Sequence, residues 1–434
     1  MRYAVQSPIS GMLFRHPDDA YPDRPLLVAT DHETERARYW LPCVDYPTVR
    51  TTFEFELTVR EGLTVLAAGA HVGDESNGDG TITSRWRLDQ PCPSYLCCLA
   101  AGEFSRADGR EVGGVPHAYF AAKRFDPAML ERSFGRAPAM MEWLVRRLDH
   151  PFPYPKYFQI AVPEIGGAME NISLTTWDDV FVLDEPLASE LEQRVDSVNL
   201  HEMAHSYFGD LIVCRHFEHT WLKESWAVYM ETVYWDETLG RDEADYELYS
   251  NAEAYMTEVE ERYARPIVTR VYNSSWDIFD NHTYPGGAWR IHMLRRIVGD
   301  DAFWAATRDY VKTYANRTVE TADFRRKLEE HSGLNLVRFF DQWVYGKGFP
   351  RLGIEYAHDT EKSTCTLKVK QTQKDEKKGI GLFEFDLEIE ITDDDGARKF
   401  SVPVREELNT FVATVKGKPS LVRIDPERRV LFRP

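Results

Sequence analysis

The segment His201-Glu202-Met203-Ala204-His205 constrains this chain more than any other. Histidines four apart on a helix lie one above the other on a single face, so both imidazoles can reach one metal ion. Leu200, Met203, Ala204 and Tyr207 fall at helical spacing and give the segment a buried face, with Gly209 as its stop. Eighteen intervening residues later comes Glu224, in Trp221-Leu222-Lys223-Glu224-Ser225. The run from Trp221 through Glu231 to Leu239 also reads as a helix, so Glu224 can face the histidines from a second, packed helix. Two histidines and a glutamate form an open zinc site whose fourth position stays free for water. The competing reading, a pair of ordinary core or surface histidines, leaves this patterning unexplained. The ligand set implies a hydrolase, and among hydrolases a peptidase.

The chemistry follows from the residue types. One Zn2+ held by His201, His205 and Glu224 lowers the pKa of its water to about 7. Glu202, next to the first ligand, is the candidate general base, a role that typically contributes roughly 10²–10⁴-fold. It can then deliver the proton to the leaving amine. Glu231 lies two turns after Glu224 on the same face. It reads equally as a partner supporting a ligand and as one more surface glutamate.

Composition narrows the class. A chain of 434 residues predicts two to four domains with ample core. No apolar run approaches a membrane helix. The opening residues, Met1 to Pro8, lack the apolar stretch of a secretory signal, which leads to the expectation of a cytoplasmic protein. Six cysteines without Cys-x-x-Cys spacing read as reduced, mostly buried thiols. A net charge of −19 argues against nucleic acid and anionic membrane surfaces as partners, and favours cationic ligands such as peptides with free amino termini. Part of that charge, between Asp236 and Glu261, reads as a solvated helical face.

Along the chain, an α+β multidomain organisation is expected. Residues 1–105 read as a β domain, with Thr51 to Val59 alternating polar and apolar and a turn-rich stretch from Gly73 to Gly80. Residues 106–347 read as mostly helical, with Phe158 to Val162 as an internal strand. Residues 348–434 read as a small β-sandwich, with strands at Leu367–Lys370 and Phe383–Ile391. In that last part, Lys374 to Lys378 reads as a hairpin tip and Asp393-Asp394-Asp395-Gly396 as a break.

Gly166-Gly167-Ala168-Met169-Glu170-Asn171, thirty residues before the metal helix, resembles the Gly-Ala-Met-Glu-Asn motif of the aminopeptidase N family of zinc metallopeptidases, which includes the leukotriene hydrolases. Arg36 to Asp45 looks like that family's N-terminal β domain, and Gly348-Phe349-Pro350 like the start of its third domain. The resemblance implies a saddle-like β domain, a thermolysin-like catalytic domain and removal of one residue from peptide N-termini. It assigns substrate binding to Gly166, Gly167, Ala168, Met169, Glu170 and Asn171. The glycines let backbone approach a peptide laid down as an added strand. It also implies that Glu170 and Glu33 accept the substrate's amino group, because Asp31 to Arg38 looks like the family's Thr-Gln-x-Glu segment; Glu35 is the fallback. An ammonium buried beside the metal must be paired. Tyr284, in His282-Thr283-Tyr284-Pro285-Gly286-Gly287, is implied as the donor to the oxyanion.

Several residues depart from the family pattern. Gly286 stands where the family's Tyr-x-Lys-Gly has lysine. Ile172-Ser173 replace Trp-Gly after the motif, so a reshaped first side-chain pocket is expected. The third ligand sits in Lys-Glu-Ser instead of the commoner Asn-Glu-Gly. Against the family's length, the chain is expected to lack the front half of the β domain and the large helical C-terminal domain. That leads to the expectation of an open cleft and of exposed sheet edges that invite pairing with another chain. Two other functions compete with the aminopeptidase. A zinc endopeptidase leaves Glu33 and Glu170 without a task, and a non-catalytic scaffold leaves three intact ligands and a base unexplained.

Overall fold

The computed structural model describes residues 2–434 and divides into two compact units. One comprises the chain up to Glu231 together with Thr307–Phe324, and the other Thr232–Ala306 with Arg325–Pro434.

The first unit is built on sheets. Met12–Arg15, Leu27–Thr30, Leu99–Gly102 and Thr64–Ala67 pair in that order as an antiparallel four-stranded sheet. Arg50–Arg60, Thr81–Pro93 and Ala70–Ser76 form a second antiparallel sheet. The strand expected over Thr51–Val59 is therefore present and slightly longer. The turn expected across Gly73–Gly80 is narrower. Ala70–Ser76 runs through Gly73 as a strand, with a register shift between His71 and Gly73, because pairing with Thr81–Pro93 overrides the local turn preference.

A five-stranded sheet carries the rest. Tyr157–Val162 lies parallel to both Val115–Ala122 and Leu174–Asp178, while Phe104–Val112 and the two-residue strand Ala168–Met169 close the sheet antiparallel at its two edges. Leu27, Trp86, Phe120, Ile160 and Leu174 belong to one buried cluster that joins these sheets. Full burial of a large apolar side chain is worth about 1.5–3 kcal/mol, so such a cluster fixes the sheets relative to one another.

Helix Glu185–His205 follows. Asp184 caps its start by accepting from the backbone N–H of Leu187, and Pro186 sits in the first turn, where its missing N–H costs nothing. The expected buried face is present: Leu200, Met203, Ala204 and Tyr207 are all fully buried. The helix ends at His205, and Gly209, at φ +134, lets the chain turn into Ile212–Cys214.

The second unit contains helices Arg241–Glu261, Gly287–Val298 and Val337–Trp343 and two antiparallel three-stranded sheets. Leu352–Asp359, Thr364–Gln371 and Leu408–Thr414 form one; Gly396–Val404, Phe385–Asp393 and Leu421–Ile424 form the other. Phe400 and Phe411, one from each sheet, meet with ring centroids 5.5 Å apart. Among the described residues no helix is long and apolar enough to cross a membrane. All six cysteines are free thiols, five of them buried.

Candidate metal centre and amine pocket

His201 and His205 project from the last turn of helix Glu185–His205 with ring centroids 4.7 Å apart. Glu224 arrives from the first turn of helix Trp221–Thr238. That helix is pinned by contacts distant in sequence. Trp221 Nε1 donates to Thr321 Oγ1 at 2.9 Å, and the Trp226 ring stacks on Phe208 at 4.5 Å. The Nε2 atoms of His201 and His205 each lie 3.3 Å from the same oxygen, Oε2 of Glu224. Two ligand atoms held about 2.0–2.1 Å from a tetrahedral zinc are themselves about 3.3–3.4 Å apart, so these residues fit such an ion. The far side of each ring is satisfied. Nδ1 of His201 is 2.8 Å from Glu231 Oε1, and Nδ1 of His205 is 2.9 Å from the Phe208 carbonyl. These contacts direct each Nε2 lone pair inward.

Glu202 is buried beside this centre, and its Oε2 has no hydrogen-bond partner among the described residues. Burial pushes its carboxyl up to about 7, against the opposing pull of His201 and His205. A carboxylate poised near neutrality with an unused acceptor is suited to take a proton from a bound water.

Glu33, Glu170 and Glu224 converge within hydrogen-bonding reach of one point, all buried. Sequence reasoning named Glu33 and Glu170 separately; the structure adds what lies between them. The Nζ of Lys223 is 2.8 Å from Glu33 Oε1, 2.5 Å from Glu170 Oε1 and 2.5 Å from Glu224 Oε1. Burial opposes the charge on Lys223, but the three carboxylates outweigh it and hold its pKa well above the ordinary lysine value. The departure Lys-Glu-Ser was visible in the sequence; its destination was not. Glu35, the fallback, instead accepts from its neighbour Thr34 Oγ1 at 2.5 Å.

The motif Gly166 to Asn171 forms the edge of the five-stranded sheet. Gly166 and Gly167 have φ of +75 and +131, which only glycine adopts readily. Gly166 N–H donates to Asp178 Oδ2, and the Gly167 carbonyl accepts from Asp178 N–H. Met169 pairs with Thr176, and Asn171 Nδ2 donates to Thr176 Oγ1. Ser173, in place of the family's glycine, holds φ +61, and its Oγ accepts from the Gly69 N–H and lies 3.0 Å from Lys156 Nζ.

Tyr284 lies in the second unit, on the π-helical turn His282–Gly286. Asp280 Oδ1 accepts from the backbone N–H groups of His282 and Thr283 at the start of that turn. The Arg265 guanidinium grips Asp280 and also donates to Thr283 Oγ1 at 2.7 Å. Glu258, Asp280 and His282 come close enough to suggest a second metal group, but the Arg265 guanidinium on Asp280 makes it an ion-pair network. No spacing pattern in the sequence signals this network.

Comparison with known proteins accords with the motif. Residues 13–96 match the peptidase M1 N-terminal domain and residues 132–343 the peptidase family M1 domain. The chain is 27% identical to aminopeptidase M1-D of Oryza sativa subsp. japonica over 350 residues, which is 77% of this chain and 39% of that protein. It is 27% identical to glutamyl aminopeptidase of Sus scrofa over 341 residues, covering 76% and 36% respectively. Puromycin-sensitive aminopeptidase of Caenorhabditis elegans is also 27% identical, over 79% of this chain and 37% of its own length. The chain thus spans less than half the length of these relatives. Two domain matches in the family's own order, together with these relatives, make this chain a member of peptidase family M1, the aminopeptidase N family.

Proposed function

We propose that this protein is a zinc-dependent aminopeptidase that hydrolyses the first peptide bond of peptides with a free amino terminus. The observation that carries the reading is the convergence of both histidine Nε2 atoms on Glu224 Oε2, with Glu202 beside them and the Glu33–Glu170 pair adjoining through Lys223. His201, His205 and Glu224 would hold one Zn2+, which supplies Lewis acidity to the carbonyl and to water. Glu202 takes the proton of the attacking water and passes it to the departing amine. Glu231 and the Phe208 carbonyl keep the imidazoles oriented. Glu33 and Glu170 accept the substrate's ammonium group, and the glycine-containing edge Gly166–Asn171 aligns the peptide backbone. Tyr284 has the role of donor to the developing oxyanion.

In this reading the chain comprises a saddle-like β domain over 1–105, a thermolysin-like catalytic domain over 106–347 and a β-sandwich over 348–434. The chemistry is tested by measuring zinc content and hydrolysis of aminoacyl-7-amido-coumarins by the wild type and by Glu202→Gln. Bound zinc, with turnover lost in the substituted protein, supports the assignment. Unimpaired cleavage of substrates with acetylated amino termini would sink it in favour of an endopeptidase.

A further inference from the structure

The turn that carries Tyr284 is wrapped around a second tyrosine. Tyr255, from helix Arg241–Glu261, meets the His282 ring edge-on at the start of that turn, with centroids 5.3 Å apart. At its end, a Cβ on Gly286 would lie 2.6 Å from Tyr255 Cδ2 and 2.9 Å from the Asn281 carbonyl oxygen. The lysine of the family pattern therefore has no room at this position. A cation stands one helical turn further on. Arg290, 1% exposed, donates from Nη1 to the Gly286 carbonyl at 3.0 Å. Its Nη2 donates to the Tyr255 hydroxyl at 2.8 Å and to the Gly348 carbonyl at 3.3 Å, and its Nε to the Trp343 carbonyl at 3.1 Å. The guanidinium lies 4.4 Å from the Tyr255 ring centroid. These acceptors are all neutral, and among the described residues Arg290 has no carboxylate partner. A buried charge without a counter-ion is costly to keep. What it does here is geometric: a rigid fork of donors joins three segments distant in sequence, and one of them is the end of the Tyr284 turn. π-helical turns such as His282–Gly286 are themselves frequent at functional sites.

We propose that Arg290 is a positioning residue for Tyr284. By fixing the Gly286 carbonyl to Tyr255 and to the segment 343–348, it holds the turn in the one conformation that aims the Tyr284 hydroxyl at the developing oxyanion. The proposal rests on the reading of Tyr284 as the oxyanion donor.

The test compares steady-state kinetics of the zinc-loaded full chain on one aminoacyl-coumarin for Arg290→Met, Tyr284→Phe and the double variant. Arg290→Met is expected to lower kcat by about 10–100-fold with little change in KM. Beside Tyr284→Phe the same substitution is expected to cost nothing further, because both changes remove one and the same interaction. Equal losses in the two backgrounds overturn the proposal, as does an unaltered kcat in Arg290→Met. Because removing a buried arginine can impair folding, a milder variant accompanies it. Tyr255→Phe deletes only the hydroxyl that links Arg290 to Gly348. It is expected to lower kcat less, again with no added effect beside Tyr284→Phe, and an additive loss overturns the proposal. Fluorine NMR of the full chain with 3-fluorotyrosine at position 284 reads that side chain without turnover. Arg290→Met and Tyr255→Phe are each expected to shift or split its resonance, and a resonance unmoved in both overturns the proposal. Full kcat in Tyr284→Phe removes the tyrosine from the chemistry, and the fluorine resonance then decides by itself whether Arg290 positions it.

Discussion

Oε1 of Glu231 lies 2.8 Å from Nδ1 of His201, on the side of the ring opposite the Nε2 that faces Glu224. Glu231 and Glu224 are two turns apart on one helix, so a single element supplies both a proposed zinc ligand and the group that orients His201. Partners of this kind typically contribute about 10–100-fold to metal affinity. Glu231→Ala is therefore expected to weaken zinc binding by about that factor, measured by competition with a chelator, while the helix content stays unchanged by circular dichroism.

Tyr284→Phe removes one hydroxyl from a turn whose backbone is held by Asp280 and Arg265. If that hydroxyl serves the oxyanion, kcat falls by about 10²–10³-fold with little change in KM. Steady-state kinetics on one aminoacyl-coumarin decides this, and a fall confined to KM would remove the tyrosine from the chemistry.

Lys156 is buried and, among the described residues, has no carboxylate partner. Its Nζ is 2.9 Å from the Ala67 carbonyl, 2.6 Å from the Gly69 carbonyl and 3.0 Å from Ser173 Oγ. Burial lowers its pKa from 10.5 to about 7. Between those values the unfolded chain binds a proton that the folded chain does not, so this residue makes the fold more stable as pH rises. Its contribution climbs by about 1.4 kcal/mol per pH unit across the middle of that window and is least favourable below pH 7. Urea unfolding of the wild type and Lys156→Met at pH 6.5, 8 and 9.5 checks the sign. The stability of the wild type relative to the variant should increase with pH.

Gly209 turns the chain immediately after the metal helix at φ +134, and a Cβ there would meet His205 Nδ1 and Lys223 Cβ, each at 3.3 Å. Gly209→Ala combines a disfavoured backbone conformation with pressure on the contact that orients His205. The cost is on the order of 1–3 kcal/mol, seen as a lower melting temperature, and zinc affinity should fall with it. A variant as stable and as zinc-competent as the wild type would show that the turn relaxes freely.

Local regularities were legible in the sequence because their causes are local. The spacing of His201 and His205, the buried face of Leu200, Met203, Ala204 and Tyr207, and the alternation of Thr51–Val59 all follow from backbone periods. The small strands Ala168–Met169, Ile212–Cys214 and Arg317–Val319 escaped notice, since two or three residues carry no period and exist only through their partners.

By itself the sequence determined the helical spacing that sets His201 and His205 on one face and, through one motif, the family. Tertiary structure decided what those residues do to one another. Glu231 supports His201 only because two helices pack with those side chains face to face. Lys223 is adjacent to Glu224 in sequence, yet its environment comes from Glu33 and Glu170, carried to it by separate sheet-based segments. Helical spacing is set by hydrogen bonds within a few residues, whereas the environment of a buried charge is set by whichever distant groups packing brings within a few ångströms.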